Sequence, residues 1–223
     1  MTSVLSDLQV PNPTFGATIQ GPINRAVDAL MASLPNPEHL SDEERRGIIT
    51  RYTAVLEGNF IYWMTGAYLA VRSDEARSII LENLHEEVRD CHPGMLRRFA
   101  LAARAIPTDT DTLAVQEDLM NVRLFVGRLN AIPLITMMAF FEGLIQKFMT
   151  YLADLAALRG SSEREYTDVH GVCDIAHTEG LFRALAAERA LDATESSMNL
   201  FEGVDLLRTL IQTIVHGRTT LTA

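Results

Sequence analysis

Cysteine is almost missing from this chain: 223 residues contain 2, Cys91 and Cys173. Neither belongs to a CxxC, and one such pair is no disulfide framework. Reduced thiols in a cytoplasmic protein are expected. Basic charge is also short, with 19 Lys and Arg against 29 Asp and Glu and a net charge of −10. Phosphate binding needs a basic patch, so nucleic acid is excluded as a partner. An anionic small molecule held by one or two arginines is not. The N-terminus has no basic stretch followed by an apolar core, so no signal peptide is expected. A long clean apolar run is absent too. The most apolar stretch, Ile132 to Met149, contains Glu142, Gln146 and Lys147, and a membrane span needs a longer and cleaner one. No strand-like alternation and no internal repeat are visible.

What is present is helical. Nearly half of the residues, 48%, are hydrophobic, enough for a substantial core without staples. Residues 1–20, with Pro11, Pro13 and Gly16, read as an irregular arm. A first helix is expected over about 22–34, stopping before Pro35. Ser41-Asp42-Glu43-Glu44 is a capping box opening a helix to about Val71. Ser73-Asp74-Glu75-Ala76 starts the next, to about Arg89. Asp90-Cys91-His92-Pro93 breaks it, and Pro93 suits the first turn of a helix to about Ala105. The run from Ile106 to Thr112 reads as a loop. Further helices are expected over about 112–129, 133–158, 163–189 and 197–215. The chain therefore reads as all-α, a bundle of about seven to eight helices. A single domain is expected over 21–216, with a loose tail at 217–223.

Three segments carry chemistry. In His170-Gly171-Val172-Cys173-Asp174-Ile175-Ala176-His177, two imidazoles and a carboxylate stand at i, i+4 and i+7, on one helix face. Imidazole with carboxylate suits iron, manganese or zinc. The flanking Val169, Val172, Ile175, Leu181 and Phe182 suggest a largely buried helix. A solvated polar stripe, or core histidines satisfied by hydrogen bonds, fits the strip equally. Glu142 lies in an otherwise apolar helix, where a carboxylate needs a partner. That partner is a metal, or an arginine such as Arg123 or Arg128. In Glu82-Asn83-Leu84-His85-Glu86-Glu87, Ile80, Asn83, Leu84 and Glu87 share the apolar face, while Ser78, Glu82, His85 and Arg89 share a polar one. Helical phase thus favours Glu87 as a ligand, with Glu86 second. His92 begins a helix whose inward stripe continues through Leu96 and Phe99; a capping role fits it as well. Together, three histidines and three carboxylates match the ligand count of a dinuclear iron site.

Asn-Leu-x-Glu-Glu closely followed by His, then a mid-bundle Glu, then His-x3-Asp-x2-His, resembles the haem-oxygenase-like diiron oxidases and oxygenases. The resemblance covers roughly residues 44–190. It implies a haem-oxygenase-like bundle, with two Fe(II) per chain and dioxygen as co-substrate. It further implies that Glu87, His92, Glu142, His170, Asp174 and His177 are iron ligands and that no other side chain is catalytic. Some relatives add a carboxylate from the preceding helix, for which Glu57 is the candidate. The interval from Glu87 to His92 is shorter than in those relatives, which leaves Glu86 open as the alternative ligand. The text around the motifs is similar to that of a subgroup forming nitriles from tryptophan derivatives. The implied activity is oxidation of an amino acid or related small carboxylate, and the class is compatible with a homodimer.

A substrate carboxylate suits the planar fork of an arginine. Arg98, Arg123, Arg128 and Arg183 are candidates for that role. Met138 and Phe141, with Met137 and Phe140, either line an apolar pocket or pack the core. A ferritin-like diiron bundle is the main alternative, since Glu57, Glu82-x2-His85, Glu142 and Asp174-x2-His177 imitate its ligand order. It would employ the polar face bearing Glu82 and His85, and would leave His170 and His92 idle. A haem oxygenase proper would need a glycine-rich distal helix, and no such run is found. A metal-free thiaminase-like enzyme would use Cys91 or Cys173. A non-enzymatic helical interaction protein would need none of these residues.

Overall fold

A computed structural model of the chain describes residues 14–191 and 199–217, with side chains over 18–171, 175–191 and 199–217. Eight α-helices account for most of it: α1 (Thr14–Ala32), α2 (Asp42–Ala70), α3 (Asp74–Arg89), α4 (His92–Ala102), α5 (Asp109–Val126), α6 (Ala131–Leu158), α7 (Glu165–Leu191) and α8 (Glu202–His216). No strand occurs among the described residues. The fold is all-α and haem-oxygenase-like.

The caps explain most boundaries. Ser41 Oγ accepts the Glu44 amide at 3.2 Å, while the Ser41 amide donates to Glu44 Oε2 at 2.7 Å, closing the capping box that starts α2. Ser73 Oγ accepts the Ala76 amide at the head of α3. Helix α5 begins earlier than the sequence suggests. Thr108 and Asp111 form a second capping box, so the Thr-Asp run read as a loop supplies a cap and first turn.

Helix α1 also begins early, inside the span expected to be irregular, and it carries Pro22 within it. An interior proline removes one backbone bond and costs about 3 kcal/mol. Ile19, Ile23, Val27 and Leu30 compensate: all four are buried on one stripe of a helix that packs on α6 and α7. Complete burial of such a side chain contributes about 1.5–3 kcal/mol.

Helix α6 forms the centre, touching α1, α2, α7 and α8. It is long and apolar enough to cross a membrane, yet 83% of its most apolar window is buried inside the protein. It is a core helix. Helix α7 lies along it and also meets α3 and α4, while α4 packs on α2. The inward faces of α2, α3, α4, α6 and α7 therefore converge on one region. Helix α7 is less enclosed than its apolar residues suggest. Ile175 is exposed, on the same outward stripe as the exposed Asp168 and Glu179.

Candidate metal centre

Helix α3 carries Glu87 inward while Glu82 and His85 face solvent. The chain then reverses at Asp90 and Cys91, where Cys91 adopts a left-handed backbone with φ 56°. Pro93 fits the first turn of α4, because its missing amide would have had no helical partner there. This tight turn brings His92 back over Glu87. The His92 Nδ1–H donates to Glu87 Oε1 at 2.7 Å, and both side chains are buried.

Helix α7 delivers the third group. His170 donates Nδ1–H to the Tyr166 carbonyl at 2.8 Å, which leaves the Nε2 lone pair facing Glu87 Oε1 at 3.9 Å. A histidine whose other nitrogen is tied to a carbonyl is the usual form of a metal ligand. Burial pushes the His170 imidazole down to about 4, against the opposing pull of Glu87, and His92 lowers it further. At neutral pH it is therefore an uncharged lone-pair donor. The His92 and His170 rings lie 4.4 Å apart.

One donor atom from each of Glu87, His92 and His170 lies within 4.8 Å of the other two. Bonds of about 2.0–2.2 Å to a first-row metal place donors up to roughly 4.4 Å apart across the ion. Small side-chain movements would close that gap. The buried carboxylate and two imidazoles thus fit such an ion.

A second group lies alongside. His177 Nε2–H donates to Glu86 Oε2 at 2.9 Å, and His177 Nδ1 stands 3.8 Å from Glu142 Oε1. Glu142 is buried, whereas Glu86 is partly exposed. The consecutive carboxylates of α3 therefore serve different histidines, Glu87 facing His92 and His170 and Glu86 facing His177. Asp174 belongs to the same helix as His170 and His177, but its side chain, like that of Cys173, lies outside the described residues.

The cavity beside the first cluster is lined by Glu87, His92, Glu142 and His170 together with an apolar wall that includes Leu56, Phe60, Ile61, Pro93, Leu96, Phe141 and Ile145. Tyr52 and Tyr166 complete it, their hydroxyls hydrogen-bonded at 2.8 Å. The sequence reading overlooked this tyrosine pair. Its one readable signal was Tyr166, a full helical turn before His170 and hence on the same face.

Most of the other candidates lie elsewhere. Phe141 lines the cavity, while Met138 is packed in the core. Arg98 pairs with Glu165, Arg123 donates to Asn59 Oδ1 and stacks on Tyr62, and Arg128 pairs with Glu202. Arg183 is exposed. None of these arginines lines the cavity. Glu57 forms an ion pair with Arg97.

A buried carboxylate–histidine cluster between the facing helices of an all-α bundle has the donor set and placement to hold a metal ion. The family follows from the chain itself, which matches the model of the iron-containing redox enzymes over residues 50–207 and belongs to that family. Searches of curated proteins and of solved structures found no match.

Proposed function

We propose that this chain is a non-haem diiron enzyme that uses dioxygen to oxidise an amino acid or a related small carboxylate. The observation that carries the reading is the Glu87–His92–His170 cluster, buried, within bonding reach of one ion, and with His170 held neutral. In this reading Glu87, His92 and His170 hold one iron. Glu142, Asp174 and His177 hold the second, and Glu86 lies close enough to His177 to join them. Bound ferrous iron supplies the electrons that reduce dioxygen. The chain's own contribution is orientation and exclusion of water. Tyr166 fixes the His170 ring, and the apolar wall of the cavity keeps the substrate body dry. Sequence around the motifs favours nitrile formation from a tryptophan derivative among the oxidative outcomes. The exposure of Glu82 and His85 counts against a ferritin-like ligand set, which would require them.

The test is metal analysis of protein purified without oxygen, followed by oxygen-uptake measurements across a panel of amino acids. Two irons per chain, no haem absorption and substrate-accelerated uptake are expected. Protein that binds no iron when supplied with Fe(II) under nitrogen would sink the proposal.

A further inference from the structure

The cavity wall contains no lysine or arginine. Its carboxylates are Glu87 and Glu142, with the imidazoles of His92 and His170 beside them. A substrate anion would meet repulsion from both carboxylates before reaching any metal. The nearest cation has to be sought at the rim, and the helical stripes show where. On α2, Leu56, Phe60 and Ile61 line the cavity, and Glu57 lies among them, one residue after Leu56 and one turn before Ile61. On α4, Pro93 and Leu96 line it, and Arg97 follows Leu96, one turn beyond Pro93. Glu57 and Arg97 form an ion pair across this α2–α4 seam. The pair thus joins α2 and α4 at residues next in sequence to the lining residues Leu56 and Leu96, between two helices that both supply the cavity wall.

We propose that Arg97 selects the substrate by exchanging Glu57 for the carboxylate of an incoming molecule with an apolar body. This rests on the oxidase reading above for the identity of the cavity, but not on iron being bound. Three features support the exchange. The Arg97 side chain is 69% exposed and can move without unpacking the core. Exposed ion pairs are weak because water competes for both partners, so a substrate carboxylate replaces Glu57 at little net loss. The guanidinium fork can donate to a substrate carboxylate as it donates to Glu57, with a second N–H available for two-point contact. Of the four arginines nominated from sequence, only Arg98 also joins two lining helices, α4 and α7 through Glu165, and it lies about 140° around α4 from Pro93, whereas Arg97 lies about 40° from it. Glu57 in this account is a competitor for Arg97 and sets the threshold for binding.

The test uses hexanoate and hexylamine, which share a slim apolar chain and differ in charge. Binding to the full chain is read by the fluorescence of Trp63, the single tryptophan, which packs on the cavity residue Phe141. Titrations are run with Fe(II) under nitrogen and again without metal. Wild type is expected to bind hexanoate more tightly than hexylamine. Arg97→Gln should weaken hexanoate at least tenfold, Arg97→Lys should weaken it less, and Glu57→Gln should strengthen it several-fold. Equal hexanoate affinity in wild type and Arg97→Gln would overturn the proposal, as would weakening by Glu57→Gln, or a wild type that binds no carboxylate. The metal-free titration separates this outcome from the fate of the oxidase reading: Arg97 dependence without iron binding sinks the oxidase alone. Iron binding with no Arg97 dependence sinks the selector alone.

Discussion

His170 is tied to Tyr166 in two ways, by the 2.8 Å bond from its Nδ1 to the Tyr166 carbonyl and by ring packing with centroids 4.3 Å apart. Both contacts belong to one turn of α7, so the direction of the His170 lone pair is fixed by local helix geometry before any metal arrives.

That neutral, buried imidazole makes stability depend on pH. In the unfolded chain His170 takes up a proton near pH 6.5; in the folded chain it does so only at about pH 4. Between these values the unfolded state binds more protons, so stability falls as pH falls. The loss attributable to this group reaches about 3 kcal/mol once pH is below 4. Urea unfolding of metal-free protein at pH 7, 5.5 and 4.5 should show the decline, and His170→Gln should flatten it. Identical pH slopes in the two proteins would remove His170 as its source.

Two carboxylates of α3 five residues apart should behave in opposite ways. Glu87→Gln removes the group within reach of both His92 and His170 and should cut iron content by half or more. Glu82→Gln alters only the exposed face and should leave iron content unchanged. Metal analysis of both variants decides, and equal losses would point to a ligand set drawn from the solvent face.

Glu142→Gln asks what neutralises the buried carboxylate of α6. Arg123 and Arg128 are engaged with Asn59 and Glu202, so the substitution strands neither guanidinium. The loss of about 3–5 kcal/mol that follows breaking a buried ion pair should not occur in metal-free protein. Iron affinity should fall at least tenfold. Thermal melts with and without iron test both statements; a large destabilisation without metal would argue for a structural role.

Tyr52→Phe deletes the hydroxyl that meets Tyr166 across the α2–α7 boundary. Loss of this buried hydrogen bond should cost about 1 kcal/mol. Looser support of the Tyr166 ring against His170 should weaken iron binding up to about tenfold, the lower range for groups that orient a ligand. Urea unfolding and iron titration measure the two effects separately. Unchanged affinity would confine the pair to a packing role.

Much of the scaffold could be read directly from the sequence because its signals are local. Ser41 and Ser73 act within a single turn, and the phase of α3 separates Glu87 from Glu82 by side-chain chemistry alone. The early start of α1 is obscured by Pro11, Pro13 and Gly16, whose breaker character outweighs the stripe through Ile19, Ile23, Val27 and Leu30. The site was legible as a set of residue types but not as a set of pairs. That Glu86 meets His177 depends on how α3 and α7 are rotated against each other, across 91 residues of sequence separation. The same holds for Glu57 and Arg97, 40 apart. Arginines are nominated by chemistry alone, and only packing shows that none of the four lines the cavity.

The reversal at Asp90 and Cys91 also offers a handle for redesign. Glu87 and His92 are five residues apart, and their approach is set by that one hinge, whereas His170 arrives on a different helix. Inserting a single residue there would re-aim α4 relative to α3, carrying His92 and Arg97 away together, and α7, which packs on α4, would have to adjust. Both His92 and Arg97 follow that short joint in the chain, so directed evolution at positions 90 and 91 should shift the two together.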